Sequence, residues 1–198
     1  MASRETVPAF DAARLLAGPS PTAARRCEEI DYASVVLTTM LVPASAVGRP
    51  LDASGFLVPR VERMLMTACT WASSKWSHLA APGRIVLRVS AGRYGDERAL
   101  QMEDEELVEQ LLGELGETMH LRGYPSAWKV TRWERSFPQY APGHLDRVAE
   151  IERALAADAP RIQVAGAAYR GVGIPACVNQ GEQAAQAVMA DIGAPRAG

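Results

Sequence analysis

Apolar residues recur along this chain with two periods, near two and near four, and the changes between them mark its elements. Residues 33–41, Ala-Ser-Val-Val-Leu-Thr-Thr-Met-Leu, are rich in β-branched side chains and are stopped by Pro43, which predicts a strand. Residues 55–58, 64–70 and 84–91 repeat this as short apolar or alternating runs punctuated by Gly, Pro or Asp. In the last of them Ile85, Leu87 and Val89 share one face, and Val86, Arg88 and Ser90 the other. A further alternating run over 127–133 predicts another strand. Between these the period lengthens: Leu107, Leu111, Leu115 and Met119 recur every four residues, Val108 and Leu112 widen the stripe, and Asp104, Glu105 and Glu106 load its start. That predicts an amphipathic helix over 103–119 with acids at the positive end of its dipole. A second helix is predicted over about 143–157, with Leu145, Val148, Ile151 and Leu155 inward.

The chain opens on a short helical pattern through Leu16 that runs into a loop signal, Gly18-Pro19-Ser20-Pro21. It closes on a strand at 162–165, a glycine-rich turn and a helix over about 175–190, whose inward face is expected at Val178, Gly181, Ala185 and Val188. Strands first, a helix inserted, and a strand-turn-helix last predict an α+β fold: a mixed or antiparallel sheet with flanking helices. A helical piece with no strand before it reads as the start of a segment cut from a larger fold.

Composition narrows the function classes. Of the 198 residues, 48% are hydrophobic and 22% charged, ordinary for a globular domain. Lys plus Arg total 21 against 23 Asp plus Glu, and no basic cluster stands out along the sequence, so no nucleic-acid partner is expected. No apolar run approaches the roughly 20 residues of a membrane-spanning helix. Glu5 and Asp11 interrupt the N-terminal stretch, which has no signal-peptide core, so the expected location is the cytoplasm. Cys27, Cys69 and Cys177 are odd in number and far apart, which predicts buried or half-buried thiols rather than disulfides or a zinc site. His78, His120 and His144 show no metal-ligand spacing, and no metal is expected.

The most informative stretch is 166–185, Gly-Ala-Ala-Tyr-Arg-Gly-Val-Gly-Ile-Pro-Ala-Cys-Val-Asn-Gln-Gly-Glu-Gln-Ala-Ala. Gly171 and Gly173 let backbone approach a ligand closely, and Pro175 suits the first turn of a helix. Free N–H groups and the helix dipole there favour negative charge on a ligand. Taken alone, Gly-x-Gly before a helix is equally the mark of a tight turn. The extended wording resembles the C-terminal flavin motif of the FAD-dependent protoporphyrinogen and coproporphyrinogen oxidases, relatives of the amine oxidases. One departure is Ala176, where that family usually has Asp, so a helix-capping acceptor is missing. Three further stretches match in order. Asp52 to Arg60 resembles the Gly-Phe-Leu-Val-Pro segment beside the porphyrinogen, Thr67 to Trp76 the strand and turn that follow it, and Trp133 to His144 the Trp-to-Pro-Gln-Tyr-x-x-Gly-His signature. Val7 to Leu16 resembles an internal region past the middle of a complete family member.

The resemblance implies the following assignments. Trp133, Tyr169, Gly171, Val172, Gly173, Ile174 and Pro175 would lie by the flavin of FAD; Gly55, Phe56 and Leu57 would wall the porphyrinogen, and Arg88 would meet a propionate. On residue pattern alone Trp133, Phe56 and Leu57 read equally as core, and Arg88 as a solvated strand residue. No catalytic acid or base is implied, because the hard chemistry belongs to the cofactor. The dinucleotide fingerprint Gly-x-Gly-x-x-Gly occurs nowhere in the chain. The expected organisation is therefore a remnant of an FAD-binding domain at 1–28, a porphyrinogen domain at 29–157 and a C-terminal FAD-binding segment at 158–198 of a truncated enzyme. Its expected partners are a porphyrinogen, oxygen, and either an absent N-terminal half or a second copy of itself. A non-redox tetrapyrrole-binding protein that lost the flavin domain is the competing reading. The pattern does not separate coproporphyrinogen III from protoporphyrinogen IX.

Overall fold

The computed structural model describes residues 7–193. Their order is α1 (Ala9–Leu16), α2 (Pro21–Glu28), β1 (Tyr32–Pro43), β2 (Gly55–Leu57), β3 (Met66–Trp71), α3 (Ala72–Lys75), β4 (Arg84–Ala91), α4 (Arg98–Gln101), α5 (Asp104–Met119), β5 (Ala127–Pro138), α6 (His144–Asp158) and α7 (Ile174–Gly193). They divide into a sheet unit, 33–137, and a helical unit, 7–32 with 138–193, each with its own hydrophobic core.

In the sheet unit the strands lie in the order β2-β3-β4-β1-β5. The pairs β2–β3, β3–β4 and β4–β1 are antiparallel. Ser126 N–H donates to the Leu41 carbonyl at 2.8 Å and Arg135 N–H to Ser34 Oγ at 3.1 Å, so β5 also runs antiparallel to β1. The period-two reading of β4 holds: Leu87 and Val89 are buried, with Val36, Met40, Cys69 and Trp71 beside them. Against this face packs the period-four stripe of α5, Leu107, Leu111, Leu115 and Met119, each fully buried and contributing about 1.5–3 kcal/mol of transfer free energy. The β3–β4 register slips between Met66 and Ala68. There the buried Glu114 of α5 accepts the N–H groups of Leu65 and Met66 at 2.7 and 2.8 Å, replacing the ladder bonds that an irregular strand start leaves open.

In the helical unit small residues of α1 and α2 let the helices approach closely. Ala9, Ala13 and Leu16 of α1 and Ala23 and Cys27 of α2 share one core with Val148, Ile151 and Leu155 of α6. Four sequence expectations are corrected here. The Ser20-Pro21 loop signal is the start of α2: Ser20 Oγ accepts the Ala23 N–H at 3.4 Å and donates to Asp158 Oδ2 at 2.7 Å, and Pro21 occupies the first turn. The segment 162–165 forms no strand, because the described residues of this unit offer it no strand to pair with. Leu145 is exposed and His144 is buried, since the inward positions 144, 148, 151 and 155 leave Leu145 about a quarter turn away. In α7 Val178, Gly181 and Ala185 are exposed, and the buried position is Gln180. The α6 helix lies in the helical unit with α1, α2 and α7.

Candidate functional site

The sheet unit presents an open face on the side away from α5. One row across it runs Gly55, Thr70, Arg88, Thr39, and a second runs Leu57, Ala68, Ser90, Leu37. Leu57 is 82% exposed. Arg88 is half-buried and its side chain makes no hydrogen bond or ion pair with the described residues, so its five N–H donors remain available between Thr70 and Thr39. Trp133 stands on the same face: Trp128 and Val130 pack into the core, and Arg132 on their side donates to the Leu100 carbonyl at 3.3 Å, which turns Trp133 outward, 55% exposed. Phe56 points the other way and meets Trp71 edge-on at 6.4 Å, so it is a core residue. Gly55 has a structural reason as well. At φ 139° a Cβ there would lie 2.1 Å from the Cys69 carbonyl oxygen, so only glycine admits the close approach of β3.

In the helical unit the glycine-rich turn is tethered from behind and open in front. The Tyr140 hydroxyl donates to the Ala167 carbonyl at 2.7 Å and accepts the Gly171 N–H at 2.8 Å. Gln180 Oε1 accepts the Arg170 and Gly166 N–H groups at 3.2 and 3.4 Å, while its amide donates to the Ala176 carbonyl at 3.1 Å. His144 stacks on Tyr140 with ring centroids 3.8 Å apart, and its Nε2 donates to the Tyr169 carbonyl at 2.7 Å, while its buried Nδ1 has no partner among the described residues. Burial pushes the Tyr140 phenol above its ordinary range, and the Gly171 N–H pulls it back in part.

Beyond these tethers, Val172, Gly173, Ile174 and Pro175 are all exposed, Ile174 at 80%. The first helical bond of α7 is Cys177 N–H to the Gly173 carbonyl at 3.0 Å, so the N–H groups of Ile174 and Ala176 have no intrahelical acceptor. They face outward at the positive end of a 20-residue helix. Arg170 is paired with Glu152 at 2.5 and 2.7 Å, so the helix start supplies the local positive field. Gly171 sits at φ 135° with space for no side chain, since a Cβ would meet that of Ala176 at 2.9 Å, whereas a Cβ on Gly173 would meet nothing nearer than 3.9 Å. Tyr169 is buried beside Cys27 and contributes its carbonyl to His144. Sequence reasoning named Trp133 in the Trp-to-His stretch and missed Tyr140 and His144; Tyr140 lies in the turn before α6, so no helical spacing ties it to His144. Gln180 carried no such signal.

The profile described as "Flavin containing amine oxidoreductase" matches residues 6–189. The coproporphyrinogen III oxidase of Bacillus subtilis (strain 168) is 37% identical over 151 residues, covering 76% of this chain and 32% of the relative. The protoporphyrinogen oxidase of Bos taurus is 25% identical over 92% of this chain and 39% of its own length. A crystal structure from Exiguobacterium sp. 255-15, provisionally described as a protoporphyrinogen oxidase, superposes with a TM-score of 0.81 at 29% identity, over 94% of this chain and 40% of that one. The chain thus spans between about a third and two fifths of the length of these relatives. Matched over nearly all of its described length, the chain belongs to the flavin-containing amine oxidoreductase family.

Proposed function

We propose that this chain supplies the substrate wall and the ring-side flavin contacts of an oxygen-dependent, FAD-dependent porphyrinogen oxidase of haem biosynthesis, acting in the cytoplasm on coproporphyrinogen III or protoporphyrinogen IX. The observation that carries the reading is the Tyr140 hydroxyl bridging Ala167 and Gly171, because it joins the two stretches whose wording matches the family's flavin motifs. Two features fit a flavin at the turn: exposed N–H donors at a helix start, and room at Gly173 that a side chain would fill. Val172 to Pro175 would hold the ring. FAD, when bound, supplies the acceptor that takes hydride equivalents from the macrocycle and passes them to oxygen as hydrogen peroxide.

The chain's own residues then bind and orient. The open face around Leu57 and Trp133 offers a broad macrocycle an apolar wall, and the unpaired guanidinium of Arg88 suits a propionate. Phe56 acts from behind, by holding β2 on the core. No helix among the described residues is long and apolar enough to cross a membrane. Coproporphyrin III, the stable oxidised form, is the probe for the substrate face. It should quench the tryptophan fluorescence of the chain saturably, and Arg88→Ala should weaken binding by about tenfold or more. An Arg88→Ala affinity equal to that of the parent chain would remove the propionate role.

A further inference from the structure

A cleft of about 630 Å³ opens at the end of the sheet unit where β3 begins and β4 stops. Four arginines line it, Arg60, Arg63, Arg93 and Arg98, with Asp96 and Glu97. Only Arg98 is neutralised, by a two-pronged bond to Asp96 at 2.8 and 2.9 Å. Arg60 donates to the Tyr94 carbonyl at 2.9 Å and Arg93 to the Met66 carbonyl at 3.4 Å, bonds to neutral acceptors that fix the guanidinium groups without pairing either with a carboxylate. Arg93 Nε is buried without a partner among the described residues. Arg63 sits at the rim in a left-handed backbone of φ 56°, its N–H bonded to the Arg60 carbonyl, and its guanidinium makes no hydrogen bond or ion pair with the described residues. Three cations therefore face the cleft against Glu97 and the outer influence of Asp96, in a chain whose formal charge is −2. Like charges gathered at one concavity oppose folding and focus a positive potential, an arrangement that an anion relieves.

We propose that this cleft binds a small ligand carrying two or more oxyanion groups, carboxylate or phosphate, held in the guanidinium forks of Arg63 and Arg93. Its volume suits a small molecule. Two sources share the chemistry: a free polyanion, or the carboxylate arms of a macrocycle. None of the cleft residues belongs to the rows around Arg88 or to the 171–175 turn, so the inference stands apart from the proposed function.

The test titrates the full chain at low ionic strength with pyrophosphate and, separately, with coproporphyrin III, following the arginine Nε–H resonances by NMR. The Arg63 and Arg93 resonances should shift saturably, and the affinity should fall by about tenfold with Arg63→Asn, with Arg93→Met and on raising salt. Asn tolerates the left-handed backbone, so Arg63→Asn keeps the turn and an unchanged circular dichroism spectrum. Displacement of pyrophosphate by coproporphyrin assigns the cleft to carboxylate arms; pyrophosphate that stays bound assigns it to a separate polyanion. Failure of both probes to shift these resonances, or shifts that survive both substitutions, overturns the proposal.

Discussion

Replacing Tyr140 with Phe removes one oxygen atom from the turn and leaves everything else in place. The ring keeps its stack on His144 at 3.8 Å, and His144 keeps its bond to the Tyr169 carbonyl. Two hydrogen bonds disappear, one donated to Ala167 and one accepted from Gly171. Both are neutral and near the surface, where water replaces part of what is lost, so each contributes about 0.5–1.5 kcal/mol and the pair about 1–3 kcal/mol. Because the tether is local, most of that loss should appear as easier opening of the turn, speeding exchange of the Gly171 amide by about tenfold or more at 1.4 kcal/mol per decade. Native-state hydrogen exchange by NMR reads this directly. The Arg170 amide is an internal control, since Gln180 holds it independently. Gly171 exchange that matches the parent chain, or a loss shared equally by Arg170, would refute the tether.

Glu114→Gln keeps one acceptor oxygen and turns a donor toward the second buried N–H, so the denaturation midpoint should fall by the equivalent of about 2–4 kcal/mol with an unchanged slope; an unaltered midpoint would show that Glu114 does not hold the start of β3. Gly171→Ala should destabilise by about 1–3 kcal/mol through backbone strain, whereas Gly173→Val should leave thermal stability near that of the parent, because nothing in the chain occupies the space. Differential scanning calorimetry of the pair checks this, and equal losses would contradict it. The Arg26 and Arg147 guanidinium groups hold the Glu29 carboxyl below its ordinary 4.5. Its stabilisation is therefore present above that pH and lost as pH falls through the lowered value, and Glu29→Gln should flatten the acid limb of the melting-temperature profile; an identical acid limb would exclude this ion cluster.

The sheet and α5 were legible because burial on one face imposes a strict period, and both period two at Ile85, Leu87 and Val89 and period four at Leu107 to Met119 survive in the structure. The same alternation, carried through β2, would have separated Phe56 from Leu57: neighbours on a strand point to opposite faces, and Phe56 takes the core. Ser20-Pro21 misled because one pair of residues both ends a loop and starts a helix. The face of α7 was invisible to a hydrophobic criterion, since its buried member is a glutamine kept inside by three backbone partners. Motif wording located the turn, yet its tethers lie elsewhere: Tyr140 follows a strand, and His144 looked like a lone histidine. Arg60, Arg63, Arg93 and Arg98 were not legible as a cluster, because two separate stretches of chain assemble it and leave no run of charge along the sequence.

The central claim is that this chain contributes a porphyrinogen wall and a flavin-ring turn to one oxidase. Co-expression with the part of the Bacillus subtilis relative outside the matched third, followed by isolation of the complex with bound FAD, allows the decisive measurement: porphyrin fluorescence and oxygen uptake on adding coproporphyrinogen III or protoporphyrinogen IX. Oxygen-dependent appearance of porphyrin, abolished together with FAD retention by Gly173→Val, is the predicted result. A folded, FAD-loaded complex that consumes neither porphyrinogen would contradict the account.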